Sequence, residues 1–383
     1  MNVPSPISRA DQICSSPATG DRDVDGKPPA TVAQRLLELR AESGIGCHPR
    51  PAGRSVARFV YLYALAVLIV WLVLRLGGDR WWFATLMLFG PRWIYGLPLV
   101  LLIPAALAWR RRLLWPLALA VGVLVGPVMG SCFPWSTFAR SGNPDIRVVS
   151  WNVRNDCVDS AKLAALIAST NPDIVALQEC QMDLQLDWPT GWHVRRQGRL
   201  ITASPYPIGN VEHHECRWPP REWPPVDALR CVIQTPNHRV GFVNVHLRTP
   251  RQGIEEVLSR RTLISPSKSG ALKDEIEYRR QECKDLADWI NGFSEPVVIA
   301  GDFNMPADSS IYRQAWSKYA NAFAVAGFGF GHTKRTNVLG WQYESRIDHV
   351  LTGAEWRPCG CWIGPDLGSD HLPLIADLCR EGP

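Results

Sequence analysis

The spacing of hydrophobic and polar positions divides the chain into three regimes. Residues 1–55 are polar and rich in Pro, Ser, Asp and Arg, which predicts a disordered cytoplasmic tail. Within it, Thr31–Ser43 (TVAQRLLELRAES) has the spacing of one short amphipathic helix. From residue 56 to 139 the polar phase disappears. Phe59–Leu74, Trp93–Trp109 and Leu113–Ala139 are three uncharged runs with no polar face to turn to water. Arg58 and Arg75 bracket the first run and tryptophans bound the second, as anchors at a membrane interface do. With such ends these runs approach the ~20 residues of a bilayer crossing, so three transmembrane helices are expected. Trp81–Pro91 (WWFATLMLFGP) is too short to cross alone and reads as an interfacial or broken helix.

From Ile146 onward, short apolar runs alternate with polar helical stretches, the pattern of an α/β domain spanning 145–380. Strands are predicted at Ile146–Trp151, Ile174–Leu177, Gly198–Ala203, Leu229–Thr235, Val240–Val245, Val297–Ala300, His349–Thr352 and Leu372–Leu378. Helices are predicted at Ser160–Ser169 and Ala271–Asn291. The first strand, helix and second strand make a β-α-β unit, so those strands should run parallel with their carboxyl ends on one edge.

Charge refines this picture. Residues 1–145 carry 15 Lys/Arg against 8 Asp/Glu and residues 146–383 carry 26 against 28, so the total of +5 comes from the N-terminal part. The C-terminal domain is slightly acidic, which gives no support for avid duplex binding. Arg40, Arg50, Arg54 and Arg58 precede the first run, and Arg110, Arg111 and Arg112 separate the second from the third. The positive-inside rule keeps both groups in the cytoplasm, and three spans then put the C-terminal domain outside the inner or plasma membrane. Arg75, Arg80 and Arg92 oppose that orientation. None of the 11 cysteines has zinc-site spacing, and free, partly buried thiols are the plain expectation. One or two disulfides become plausible on an oxidising side.

Polar residues cluster at predicted strand ends, where open α/β sheets build sites. Asn152 follows VVSW, Glu179 follows IVALQ, His246 follows GFVNV, and Asp302 and Asn304 follow VVIAG. Asp348 sits in RIDHVL, and Asp370 and His371 precede the last strand. These groups suit phosphoester hydrolysis. Asn152, Glu179 and Asp370 offer oxygen ligands to a hard divalent ion, magnesium or manganese. Asp302 and Asn304 suit orientation or deprotonation of a water, His371 paired with Asp348 suits proton donation, and His246 is a second candidate acid.

The ordered set SWN, LQE, NVHL, GDFN, RIDH and SDH, over roughly residues 145–380, resembles the endonuclease/exonuclease/phosphatase superfamily. That resemblance implies a four-layer sandwich, two packed mixed β-sheets flanked by helices, with the N-terminal transmembrane helices ahead of it. It also implies a metal-ligand glutamate at Glu179 with its associated asparagine at Asn152. A nucleophile-positioning pair falls at Asp302 and Asn304, a terminal Asp-His pair at Asp370 and His371, and the orienting carboxylate at Asp348. His246 falls on the family's histidine-or-tyrosine position.

The Pro- and Trp-rich stretch Glu212–Val226 reads as a surface loop, or as a substrate-facing insertion with Trp218 and Trp223; Arg248 is a third candidate substrate contact. Ile254–Lys273 reads as a second loop whose Arg260, Arg261 and Lys268 either are solvated or meet an anion. Gly327–Thr333 is Gly-rich without phosphate-loop spacing. The expectation is a membrane-anchored, metal-dependent phosphoester hydrolase. Its substrate is nucleic acid, a lipid or a small phosphoester, and no protein partner is implied. The alternative is a non-catalytic binding or scaffolding module on the same fold.

Overall fold

The computed structural model describes residues 51–135, 143–155, 158–216, 226–258, 270–338 and 341–381. The Thr31–Ser43 helix, Trp218, Trp223, Arg260, Arg261 and Lys268 lie outside the described residues. Ser55–Pro383 packs as one compact unit.

Four helices come first: α1 (Pro51–Gly77), α2 (Trp82–Phe89), α3 (Leu99–Trp109) and α4 (Leu114–Val123). With their flanking turns they provide three helical stretches long and apolar enough to cross a membrane: Gly53–Gly77, Arg92–Trp109 and Arg111–Val128. The third ends eleven residues before the expected Ala139, where a π-turn containing Pro127 gives way to Gly130 at φ 77°. Val100, Leu101, Trp115 and Leu119 on these stretches are at least 70% exposed, so the described residues leave these apolar side chains uncovered.

Two six-stranded sheets follow. The first has the order β13-β14-β1-β2-β4-β3 and the second β5-β6-β7-β8-β12-β9. Their strands are β1 (Ile146–Asn155), β2 (Ile174–Cys180), β3 (His193–Gln197), β4 (Leu200–Ser204), β5 (Ile208–Glu215), β6 (Val226–Gln234), β7 (Arg239–His246), β8 (Val297–Asp302), β9 (Ala320–Asn321), β12 (Asp348–Thr352), β13 (Trp356–Ile363) and β14 (Leu374–Arg380). A separate hairpin joins β10 (Lys334–Val338) to β11 (Trp341–Ser345). Val148, Ile174 and Ala176 of the first sheet meet Cys231, Phe242 and Ala300 of the second in the central core. Helix α5 (Ser160–Thr170) covers the first sheet through Leu163 and Leu166. Helices α6 (Arg251–Leu258), α7 (Gly270–Asn291) and α8 (Ser310–Trp316) cover the second. The expected four-layer sandwich of two mixed sheets flanked by helices is therefore present.

Each sheet holds one parallel pair, β1 with β2 and β7 with β8, each joined through helices. The carboxyl ends of all four strands carry the polar residues singled out above, and Gln178 ties the two ends together. Its Nε2 donates to Asn244 Oδ1 at 2.8 Å, and Asn244 Nδ2 donates to the carbonyls of Leu177 (3.2 Å) and Ile201 (3.0 Å).

The stretch expected to be a loop at Ile254–Lys273 begins inside α6 and ends inside α7. Cys359 and Cys379 form a disulfide between β13 and β14, so these two are not free thiols, whereas Cys361 on β13 remains free and buried.

Candidate active site

Four strand ends converge on one carboxylate, Asp302. Asn152 Nδ2 donates to Asp302 Oδ2 at 3.0 Å and to Glu179 Oε1 at 2.9 Å. Asn304 Nδ2 donates to the same Asp302 oxygen at 3.2 Å and to the Leu247 carbonyl at 2.9 Å, while its backbone N–H donates to Asp302 Oδ1 at 2.8 Å. His246 Nε2 lies 3.5 Å from Glu179 Oε1 and 4.0 Å from Asp302 Oδ2. From the opposite side, His371 Nε2 lies 3.7 Å from Asp302 Oδ2. His371 Nδ1 donates to Asp348, at 2.9 Å to Oδ2 and 3.2 Å to Oδ1.

Local backbone geometry produces this convergence. Register pairs His246 with Asp302 across the parallel strands and Asp348 with Asp302 across the antiparallel ones. Glu179 and Asn304 sit at φ 55° and 52°, in the left-handed region, which asparagine tolerates and glutamate rarely occupies. Strain of the kind at Glu179 persists only where the surroundings impose it. Gly301 makes the strand approach feasible: at φ 150°, a Cβ there would stand 1.9 Å from the Val245 carbonyl oxygen.

The electrostatics follow from burial and crowding. Burial and the neighbouring Asp348 charge push Asp302 up to about 7. Asp348 is also buried, yet the His371 charge and hydrogen bond hold it below the usual carboxylate range. Burial opposes charge on His371, but Asp348 and Asp302 overcome it and raise its pKa. Burial likewise opposes charge on Glu179, and His246, Asn152, His371 and Arg199 together hold it low. One half-buried carboxylate, Glu179, thus stays ionised beside a buried acid that titrates near neutrality.

Ligand atoms of Glu179, His246 and Asp302 all lie within 4.8 Å of one another. Two carboxylates sharing one amide donor, with a single imidazole, fit a hard divalent ion. Asn152 Oδ1 accepts from the Arg154 N–H at 3.0 Å, so Asn152 turns its nitrogen, not its oxygen, toward the carboxylates. Asp370 precedes His371: its Oδ2 pairs with Lys334 and lies 3.7 Å from Arg154 Nη1, and its Oδ1 is buried with no hydrogen-bond partner among the described residues. Arg248 donates its backbone N–H to Glu282 at 2.8 Å and stands over the Tyr278 ring.

Sequence reading passed over Gln178, Asn244 and Lys334. The first two carried a signal, since an amide inside a buried apolar strand must find a partner. Lys334 carried none, because its contact with Asp370 spans 36 positions.

The chain belongs to the Endonuclease/Exonuclease/phosphatase family, which matches residues 149–371. Similar solved structures include an endonuclease/exonuclease/phosphatase from Beutenbergia cavernae, 17% identical over 63% of this chain and 72% of that one, with a TM-score of 0.47. A 3'-5' exonuclease from Neisseria meningitidis is 19% identical over 61% of this chain and 100% of that one, with a TM-score of 0.45. The human Nocturnin catalytic domain is 14% identical over 64% of this chain and 99% of that one, with a TM-score of 0.46. No curated protein matches the chain.

Proposed function

We propose that the protein is a membrane-anchored, divalent-metal-dependent phosphoester hydrolase. One observation carries the reading: Asn152, Glu179, His246, Asp302, Asn304 and the Asp348–His371 pair meet at the carboxyl ends of two parallel strand pairs. Glu179, with Asp302 and His246 beside it, would hold magnesium or manganese. When bound, that ion supplies charge stabilisation to the phosphoryl and departing oxygens. Asp302, held by Asn152 and Asn304, takes a proton from the attacking water. His371, kept charged by Asp348, donates to the phosphoryl group from the other side of Asp302. Asp370 is a further candidate ligand through its unpartnered Oδ1.

Anchoring rests on the three apolar helical stretches. Three crossings place the domain on the side opposite Arg54 and Arg58, the extracytoplasmic side, and the Cys359–Cys379 disulfide suits an oxidising compartment.

The test is hydrolysis of bis-p-nitrophenyl phosphate by the full chain in detergent. Wild type should turn over with magnesium, stop with EDTA and recover with added magnesium or manganese. Glu179→Ala and His371→Ala should each lose roughly 10²–10⁴-fold in kcat. Equal rates for wild type and both variants would leave the scaffold reading in its place.

A further inference from the structure

A cavity of about 750 Å³ lies between the apolar helices and the catalytic domain, apart from the Asp302 cluster. Its two walls differ in chemistry. The helical wall is largely apolar, with Leu88, Trp93, Pro127 and Met129, while the catalytic wall is formed by the residues after Asn304 and by the β10–β11 hairpin with Arg346. Four arginines line the cavity (Arg75, Arg92, Arg335 and Arg346) against two carboxylates, Asp308 and Glu344. Both carboxylates are already matched, Asp308 by Arg92 at 2.7 Å and Glu344 by Arg335 at 3.6 Å.

Arg346 is a lining cation held in place without a carboxylate partner among the described residues. Its Nη1 donates to the Phe330 carbonyl at 2.8 Å and to Cys132 Sγ at 3.3 Å, and its guanidinium stacks over the Phe323 ring. No carboxylate pairs with it among the described residues, its Nε is buried without an acceptor, and Nη2 has no acceptor among those residues either. A rigidly held guanidinium with spare donors is a phosphate receptor. We infer that this cavity binds a phosphoester anion on Arg346, and that its apolar wall favours the headgroup phosphate of a membrane lipid over a free phosphate. Only the lipid source rests on the anchoring proposed above. The site would also touch the catalytic segment: the Arg335 N–H donates to the Asp370 carbonyl at 2.8 Å, one residue before His371.

Calorimetric titration of the full chain in neutral detergent tests this, with EDTA present so that metal-held phosphate at the catalytic cluster does not register. The ligands are dihexanoyl phosphatidylglycerol, dihexanoyl phosphatidylcholine and inorganic phosphate. Phosphatidylglycerol should bind, and Arg346→Gln should weaken it roughly tenfold or more. Gln342→Glu places a negative charge on an exposed lining residue and should weaken it similarly without disturbing the fold. His371→Ala should leave it unchanged. Inorganic phosphate binding with the same Arg346 dependence, and no lipid binding, would keep the phosphate site and assign it to a free phosphate. Binding of neither anion, or binding indifferent to both cavity variants, overturns the inference. Magnesium-dependent hydrolysis of bis-p-nitrophenyl phosphate is read separately, so either proposal can fail alone.

Discussion

Asp302 is where residue-scale forces are most concentrated, because its Oδ2 is approached by Asn152, Asn304, His246 and His371 together. The Asp348–His371 pair isolates one of those forces. Asp348→Asn keeps the shape of the site but removes the charge that holds the imidazole protonated and fixes its tautomer. It should lower kcat roughly 10²–10⁴-fold with little change in KM, measured against bis-p-nitrophenyl phosphate, and lower the melting temperature because the pair is buried. A fall in stability without a fall in kcat would mean that Asp348 only packs. The next residue, His349, makes a separate prediction. It is buried and neutral: Nε2 donates to the Met305 carbonyl at 2.9 Å, and Asn321 Nδ2 donates to its Nδ1 at 3.1 Å. Burial lowers its pKa from 6.5 to about 4. Between those values the unfolded chain binds a proton that the native chain refuses. Stability is therefore full above pH 6.5 and falls as pH drops toward 4, by roughly 3 kcal/mol in all. His349→Gln should have a lower melting temperature at pH 7 but a flatter decline between pH 7 and 4.5. Parallel declines for the two proteins would rule out this histidine as the cause.

At the scale of elements, the site depends on how closely β7 and β8 approach. Val245 pairs with Gly301 in that parallel ladder. Gly301→Ala puts a methyl group 1.9 Å from the Val245 carbonyl oxygen, which only separation of the strands can relieve. The expected result is a loss of roughly 3 kcal/mol in denaturant unfolding, with kcat falling further than KM rises as Asp302 moves away from His246. Wild-type kcat in the alanine variant would show that the ladder tolerates the displacement. The same elements show what the sequence could convey. Central strands such as β2 and β8 are buried on both faces, so they read as unbroken apolar runs ending in a polar residue, and the site was legible at those ends. Edge strands carry no such run. β3 (HVRRQ) is half-buried throughout, β5 (IGNVEHHE) alternates toward solvent, and β13 contains Pro358 and a register shift, so none announced itself. The pairing of Asp370 with Lys334 depended on the β10–β11 hairpin that the pattern also left unmarked.

At the scale of the whole molecule, the apolar helices and the sandwich domain are joined by buried charge as well as by apolar contact. Asp79, in the turn after α1, is fully buried and lies 3.3 Å from the equally buried Arg279 of α7. It also accepts from Ser309 Oγ. Arg279 in turn donates through Nη2 to the Asn304 carbonyl at 3.1 Å, so the carboxylate of the helical segment orients the cation that holds the loop after β8. Around this pair, Trp82, Leu86 and Phe89 of α2 pack against the core beneath α7 and α8. Removing one partner of a buried pair leaves the other charged and desolvated, which typically costs about 3–5 kcal/mol. Asp79→Asn suits the test because asparagine tolerates the φ of 56° at this turn. It should lower the melting temperature and, at temperatures where it remains folded, reduce kcat through the loosened Asn304. A chain truncated to residues 140–383 loses Asp79 and the α2 contacts together, so it should be less stable than the Asp79→Asn variant and prone to aggregate. If that truncated chain melts and turns over like the full protein, the helices serve only as a tether. Sidedness has its own measurement, a phosphatase reporter fused after Pro383, which should be active only outside the cytoplasm. An active cytoplasmic reporter instead would reverse the proposed placement of the domain, while the dependence on Asp79 would stand, because the Asp79–Arg279 pair joins the two parts in either placement.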